Sequence, residues 1–127
     1  MKKALSIAIG IAILLFCLGT IELSGLVFKR STLFVSCQPS GVDYAGRDPY
    51  CLRIIKNQQI FTHKYLIQVA PQNQPDYGHV LSYPDPFVID EREITATKVV
   101  WNDSAIEVTT YLDTQLIIPK KNFTQGR

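Results

Sequence analysis

The feature that most constrains this chain is an apolar run near its start, at positions 4–28, in which Glu22 is the only charged residue. Positions 4–21 form an uncharged stretch of 18 residues. A helix rises about 1.5 Å per residue, and about 20 apolar residues cross the hydrocarbon core of a bilayer. The run therefore predicts one transmembrane helix within residues 1–28, followed by a domain formed by residues 29–127.

Two interpretations of this run remain open. A cleaved signal peptide has an apolar stretch of about 7 to 15 residues and a small-x-small exit, whereas this run is longer and positions 18–25 lack that pattern. We expect an uncleaved signal-anchor; the alternative is cleavage near Gly25, which would give a secreted or periplasmic protein. Cys17 follows the bulky Phe16, so we expect a free thiol in the bilayer and not a lipid-modified cysteine.

The cations that flank the run indicate the topology only weakly. Lys2 and Lys3 precede the run, and Lys29 and Arg30 follow it. The positive-inside rule therefore favours a cytoplasmic N-terminus by a small margin. This orientation would place the domain outside the cytoplasm.

The cysteines beyond the run support the same location. Cys37 and Cys51 bracket a polar, turn-rich segment at positions 38–50. Disulfides are typical of small exported domains, because such domains bury too little apolar surface to be stable without them. We predict a Cys37–Cys51 disulfide; the alternative is two free thiols in adjacent strands.

The charge of the domain argues against nucleic acid as a partner. Residues 29–127 contain 11 basic and 10 acidic residues, so their charges nearly balance. Binding to phosphate backbones depends on an excess of clustered lysine and arginine. The length of this segment is sufficient for one small domain and not for two.

Alternation of apolar and polar residues between turn residues predicts an all-β domain. The predicted strands lie at positions 32–37, 51–55, 60–69, 79–83, 94–101, 105–112 and 115–118. Short loops join the last three strands, which predicts an antiparallel meander. We expect a small antiparallel β-sandwich or a partly open barrel. The alternative is an α+β fold, with a helix at positions 38–50 or 86–93.

The same alternation predicts the core. The residues at positions 56–59 are all polar, and they are predicted to form a hairpin turn. In the following strand one face is expected to be buried, and it consists of Phe61, Tyr65, Ile67 and Val69. Trp101, Ile106, Val108 and Leu112 are expected to be buried in the meander.

No pattern for catalysis, cofactor binding or metal binding is present in the sequence. His63 falls on the predicted apolar face, where a hydrogen-bonded core histidine is the expected role, and His79 lies in a proline-rich loop. Zinc-ligand spacings and a G-x-S-x-G elbow are absent. Positions 90–93 form an acidic run that includes its own counterion, Arg92, which is typical of a solvated segment. We therefore expect no enzyme.

Tyrosines in the predicted loops are the candidates for recognition. Tyr44, Tyr77 and Tyr83 lie in or beside loops, where the alternating pattern requires no apolar side chain. Tyrosine buries a large area with few rotatable bonds and is enriched at protein interfaces. We predict that these three residues bind a protein partner; the alternative is that their rings complete the ends of a small core.

The organisation as a whole, a basic start, one anchor and a short β domain, resembles that of many small bacterial envelope proteins. It leads to two functional hypotheses. The first is a protein-binding domain at the cell envelope, such as an immunity or inhibitor protein. The second is a structural or assembly accessory subunit of a membrane complex, in which the anchor itself makes the contact.

Overall fold

The computed structural model describes residues 1–23, 29–46, 48–85, 88 and 90–125. Helix α1 covers Lys2–Leu23, and Lys3–Thr20 within it is long and apolar enough to cross a membrane and is not buried in the protein. Transmembrane helices and signal sequences share these properties. The end of the predicted apolar run and the alternative cleavage point near Gly25 lie outside the described residues.

Four strands form the first antiparallel sheet, called sheet A below, in which they pair in chain order. They are β1 (Lys29–Cys37), β2 (Tyr50–Gln58), β3 (His63–Pro71) and β4 (His79–Ser82). Sheet A therefore contains the first four predicted strands with altered bounds. In β3 the predicted core positions Tyr65, Ile67 and Val69 are buried.

The hairpin turn between β2 and β3 lies further along the chain than predicted. Polar residues continue β2 to Gln58, and the turn follows at positions 59–62, where the amide of Gln59 donates to the carbonyl of Thr62 at 2.7 Å. Phe61 consequently lies in the turn and is 72% exposed. The prediction that Phe61 is buried is wrong, because the polar positions that resemble a turn are held in the strand by pairing with β1 and β3.

The predicted disulfide between Cys37 and Cys51 is present. The two residues are register partners at one end of the β1–β2 pair. The bridge therefore closes the segment between β1 and β2 at its base. Cys17 in α1 is a free, exposed cysteine, as predicted.

Three further strands form sheet B, an antiparallel meander. They are β5 (Lys98–Trp101), β6 (Ala105–Thr109) and β7 (Gln115–Pro119). The predicted meander is therefore confirmed, although β6 is shorter than expected. A turn over positions 110–114 follows it, in which Asp113 has a positive φ of 59°. Leu112 lies in this turn and is exposed, so its predicted burial is wrong.

Two short helices precede and follow the strands of sheet B in the chain. Helix α2 (Glu91–Ile94) begins after Asp90, whose side chain accepts a hydrogen bond from the amide of Arg92 at 2.9 Å. Because this turn is helical, β5 begins at Lys98 and not at the predicted position 94. Helix α3 (Lys120–Thr124) follows β7 directly and buries Phe123.

Residues from both sheets belong to one hydrophobic core. Its fully buried members include Ile54 and Ile67 from sheet A with Ile106 and Ile118 from sheet B. Val108 is also buried, as predicted, whereas Trp101 is only partly buried and packs against the core. The described chain is thus mostly β, with two antiparallel sheets of four and three strands, and neither sheet closes into a barrel.

Candidate functional site

Tyr44, the first predicted contact residue, is buried, with 3% of its surface exposed. Its hydroxyl donates to the carbonyl of Asn102 at 2.6 Å and lies 3.3 Å from that of Ala105. Burial raises the pKa of this phenol, and the charge of Asp103 adds to the shift. The prediction that Tyr44 is exposed is wrong, because the loop after β1 folds onto the β5–β6 turn.

An aromatic cluster surrounds the Tyr44 ring. The ring centroid of Phe123 lies 5.1 Å from that of Tyr44, that of Trp101 lies 6.2 Å away, and that of Tyr50 lies 6.3 Å away. The ammonium of Lys120 lies 5.6 Å from the same centroid. Edge-to-face contacts of this kind stabilise cores, so Tyr44 completes the end of the core, which is the alternative role considered for it from the sequence.

Tyr83, another predicted contact residue, is also buried, with 4% of its surface exposed. Its hydroxyl lies 3.0 Å from the hydroxyl of Thr97, which is itself buried. Burial raises the pKa of Tyr83, although the hydrogen bond to Thr97 opposes the shift. The prediction of an exposed Tyr83 is therefore wrong, because the residue directly follows β4 and belongs to the hydrophobic core.

Tyr77 is the predicted contact residue that is exposed, with 79% of its surface accessible. It lies in the β3–β4 loop, which folds back onto β3. The side chain of Gln68 donates to the carbonyl of Pro75 at 2.7 Å. A Cβ atom at Gly78 would lie 2.6 Å from the Cβ of Ala70, so glycine permits this close approach. The loop thus presents Tyr77 from a fixed base.

The β3–β4 loop lies over the face of sheet A that points away from the core, called the outer face below. One residue from each strand forms a row across this face, in the order Val35, Arg53, Gln68 and Val80. Val35 and Val80 are about half exposed. Tyr77 and these two valines place exposed apolar surface on this face.

A shallow depression on the outer face is lined by Arg30, Arg53, Gln68 and Asp76, among other residues. Gln68 is buried, and its side-chain oxygen accepts a hydrogen bond from Arg30 at 3.0 Å. The Nη1 atom of Arg53 is buried and has no hydrogen-bond partner. An unpaired buried donor is unfavourable, so a partner that brings an acceptor to this depression would gain from satisfying it.

Sequence reasoning missed Arg30, Arg53 and Gln68. The signal available was a polar residue within each of two apolar strands, Arg53 in β2 and Gln68 in β3. Their proximity depends on the register of the β2–β3 pair, which places them directly opposite each other. Composition alone does not give that register.

The histidines do not form a site together. His63 is exposed and its ring lies 5.3 Å from that of Tyr65, so its predicted place in the core is wrong. His79 pairs with Val69, six residues along β3 from His63, a separation of roughly 20 Å in a strand. No group of three or more His, Cys, Asp or Glu residues suited to a metal ion occurs in the described part of the chain.

Comparison of the chain with protein-family models, with curated proteins and with solved structures found no match.

Proposed function

We propose that this chain is a single-pass membrane protein whose β domain lies outside the cytoplasm and binds a protein partner through the outer face of sheet A. An immunity or inhibitor protein at a bacterial cell envelope is the kind of protein that this arrangement fits. The domain acts by binding and not by catalysis.

The anchor supports the membrane part of the proposal. Helix α1 contains 22 residues, a length of roughly 33 Å, which matches the hydrocarbon core of a bilayer. The Cys37–Cys51 disulfide supports the location of the domain, because disulfides persist in oxidising compartments and are rare in the cytosol.

Contacts between the sheets support a sandwich arrangement of the domain. The indole nitrogen of Trp101 in β5 donates to the hydroxyl of Ser36 in β1 at 3.0 Å. Ile54 and Ile106, which belong to different sheets, are both fully buried in the same core. A sandwich would leave the outer face of sheet A free to bind a partner.

The observation that carries the binding proposal is the unpaired Nη1 atom of Arg53 in a depression that is also lined by Asp76, the neighbour of the exposed Tyr77. Tyrosine and arginine are the residue types that most often dominate binding energy at protein interfaces. Val35 beside Arg53 and Val80 beside Gln68 add apolar area at the two ends of the row. The face therefore combines an aromatic anchor, an arginine that lacks an acceptor and a small apolar surround.

The test is a pair of alanine variants at exposed aromatic residues. Tyr77→Ala should weaken binding of a partner co-purified from solubilised membranes by more than about 1 kcal/mol, because it removes a contact residue. It should leave the melting temperature nearly unchanged. Phe61→Ala is the matched control, since Phe61 is similarly exposed but lies in the β2–β3 turn. Equal loss of binding in both variants, or none in Tyr77→Ala, would contradict the proposal.

The accessory-subunit hypothesis predicts that partner binding depends on α1, whereas the outer-face proposal predicts that it does not. No residue of the described Lys3–Thr20 stretch is buried in the protein, so its surface is available to lipid or to other helices. Exchange of α1 for an unrelated transmembrane helix should preserve partner binding if the outer face of sheet A is the site. Loss of the partner after this exchange, with the Tyr77 variant unaffected, would favour the accessory role.

A further inference from the structure

One end of sheet A is tethered close to α1. The chain leaves α1 at Leu23 and enters β1 at Lys29, so six Cα–Cα steps of at most roughly 3.6 Å separate them. Register pairs Lys29 with Gln58 and Gln58 with His63. The start of β1, the end of β2 and the start of β3 therefore lie together within roughly 20 Å of the end of α1. This end is called the proximal end below.

The proximal end carries exposed cations. Lys29, Arg30 and Lys64 are all exposed, and within the described residues none of them forms a salt bridge. Arg30 is held in place by its hydrogen bond to Gln68. Lys56 lies nearby but is already paired with Glu91. Lys29 and Lys64 therefore remain available to an anion that approaches this end, whereas the guanidinium of Arg30 lies in the outer-face depression beside Gln68.

An exposed aromatic ring accompanies these cations. Phe61 projects from the β2–β3 turn with 72% of its surface exposed. The turn is fixed by two hydrogen bonds between Gln59 and Thr62, one from the Gln59 amide and one from the Thr62 hydroxyl, each 2.7 Å long. A hydrogen-bonded turn with an apolar tip beside lysines is the combination found at membrane–water interfaces.

We propose that the proximal end of sheet A docks on the anionic phospholipid headgroups of the membrane that holds α1. Phe61 reaches the boundary between headgroups and acyl chains, and Lys29 and Lys64 contact phosphate oxygens. The inference rests on the anchored topology proposed above. It adds a second contact at the opposite end of β3 from the loop that contains Tyr77, so this loop lies at the end of the sheet that is remote from the lipid.

Two carboxylates near the proximal end could neutralise its positive charge, and among the described residues neither pairs with Lys29 or Lys64. Asp76 lines the depression beside Arg30 but forms no salt bridge with it in the described chain. Glu91 is occupied by Lys56. The local charge is therefore net positive, and an anionic headgroup layer complements it.

Hydrogen exchange of the full-length protein in nanodiscs tests the proposal. One set of discs contains phosphatidylcholine alone, and the other contains phosphatidylcholine mixed with phosphatidylglycerol. Each cation close to an anionic leaflet strengthens docking about fivefold. The amides at positions 60–63 should therefore exchange at least about fivefold more slowly in the anionic discs, and high salt should remove the difference. Amides of the β3–β4 loop should not respond.

Variants show whether the named residues cause the effect. Lys29→Gln combined with Lys64→Gln should abolish the protection, and Phe61→Ser should reduce it. Lys98→Gln is the matched control, because Lys98 is an exposed cation on sheet B. Glycerol phosphate in solution should not reproduce the protection, since it offers phosphate without a membrane surface.

The outcomes separate this inference from the proposed function. Equal exchange in the two kinds of disc, or equal protection after the double lysine substitution, would overturn the docking proposal while leaving the anchor and the Tyr77 surface intact. Failure of the chain to remain inserted in the discs would instead overturn the anchored topology. Retained protection in Lys98→Gln, together with its loss in the double variant, would support docking.

Discussion

Replacement of Tyr44 by alanine is expected to destabilise the β domain by about 3–5 kcal/mol, the range for removal of a large buried aromatic side chain. The ring is almost fully buried and contacts Phe123, Trp101 and Tyr50. Its loss would leave a cavity at one end of the core and free the carbonyl of Asn102. Urea unfolding of the full-length protein in detergent, followed by fluorescence, measures the change. Trp101 is the only tryptophan, so the signal reports the β domain.

A smaller substitution separates the two contributions of this residue. Tyr44→Phe keeps the ring and removes the hydroxyl, so it should cost about 1 kcal/mol through loss of the hydrogen bond to Asn102. Tyr77→Ala is the exposed comparison and should change stability by less than about 0.5 kcal/mol. A Tyr44→Ala variant as stable as Tyr77→Ala would contradict the buried position of Tyr44.

Loss of the disulfide is expected to have the second large effect. Cys37 and Cys51 are separated by 14 positions, and a loop of this length gives about 3 kcal/mol in the chain-entropy description of disulfide stabilisation. Cys37→Ser should lower the free energy of unfolding by that amount. Cys51→Ser should cost at least as much, within the range of about 2–5 kcal/mol, because Cys51 is buried and the new hydroxyl would lack solvent.

Thiol labelling and a control variant complete this test. The unreduced, denatured protein should contain one reactive cysteine, Cys17, and Cys17→Ser should leave stability unchanged because α1 carries it outside the β domain. Detection of three reactive thiols would show that the bridge is absent from the protein as isolated.

The sequence was sufficient to predict α1, the seven strands and the disulfide, because each depends on local pattern or on spacing. Element bounds were less predictable. The turn after β2 was misplaced, since Lys56, Asn57 and Gln58 are polar enough for a loop but are paired on both sides in the sheet. The prediction that Phe61 is buried was wrong for the same reason, because the shift of the turn removes that residue from the strand.

The candidate site was less predictable than the fold, for a reason that Tyr44 illustrates. Its hydroxyl contacts a carbonyl 58 residues away, so its burial depends on where the loop after β1 packs. Loop position in the sequence therefore did not imply exposure for Tyr44 or Tyr83. The row that joins Arg53 to Gln68 likewise requires the register of two strands, which no single segment encodes.

The topology of the full-length chain is the central claim, because the partner, the disulfide and the lipid contact all depend on the side of the membrane that holds the β domain. The direct measurement is a pair of C-terminal fusions in intact cells, one to a reporter active only outside the cytoplasm and one to a reporter active only inside it. The account predicts activity of the outside reporter alone, in a fusion that stays in the membrane fraction after an alkaline wash. Activity of the inside reporter alone would contradict it.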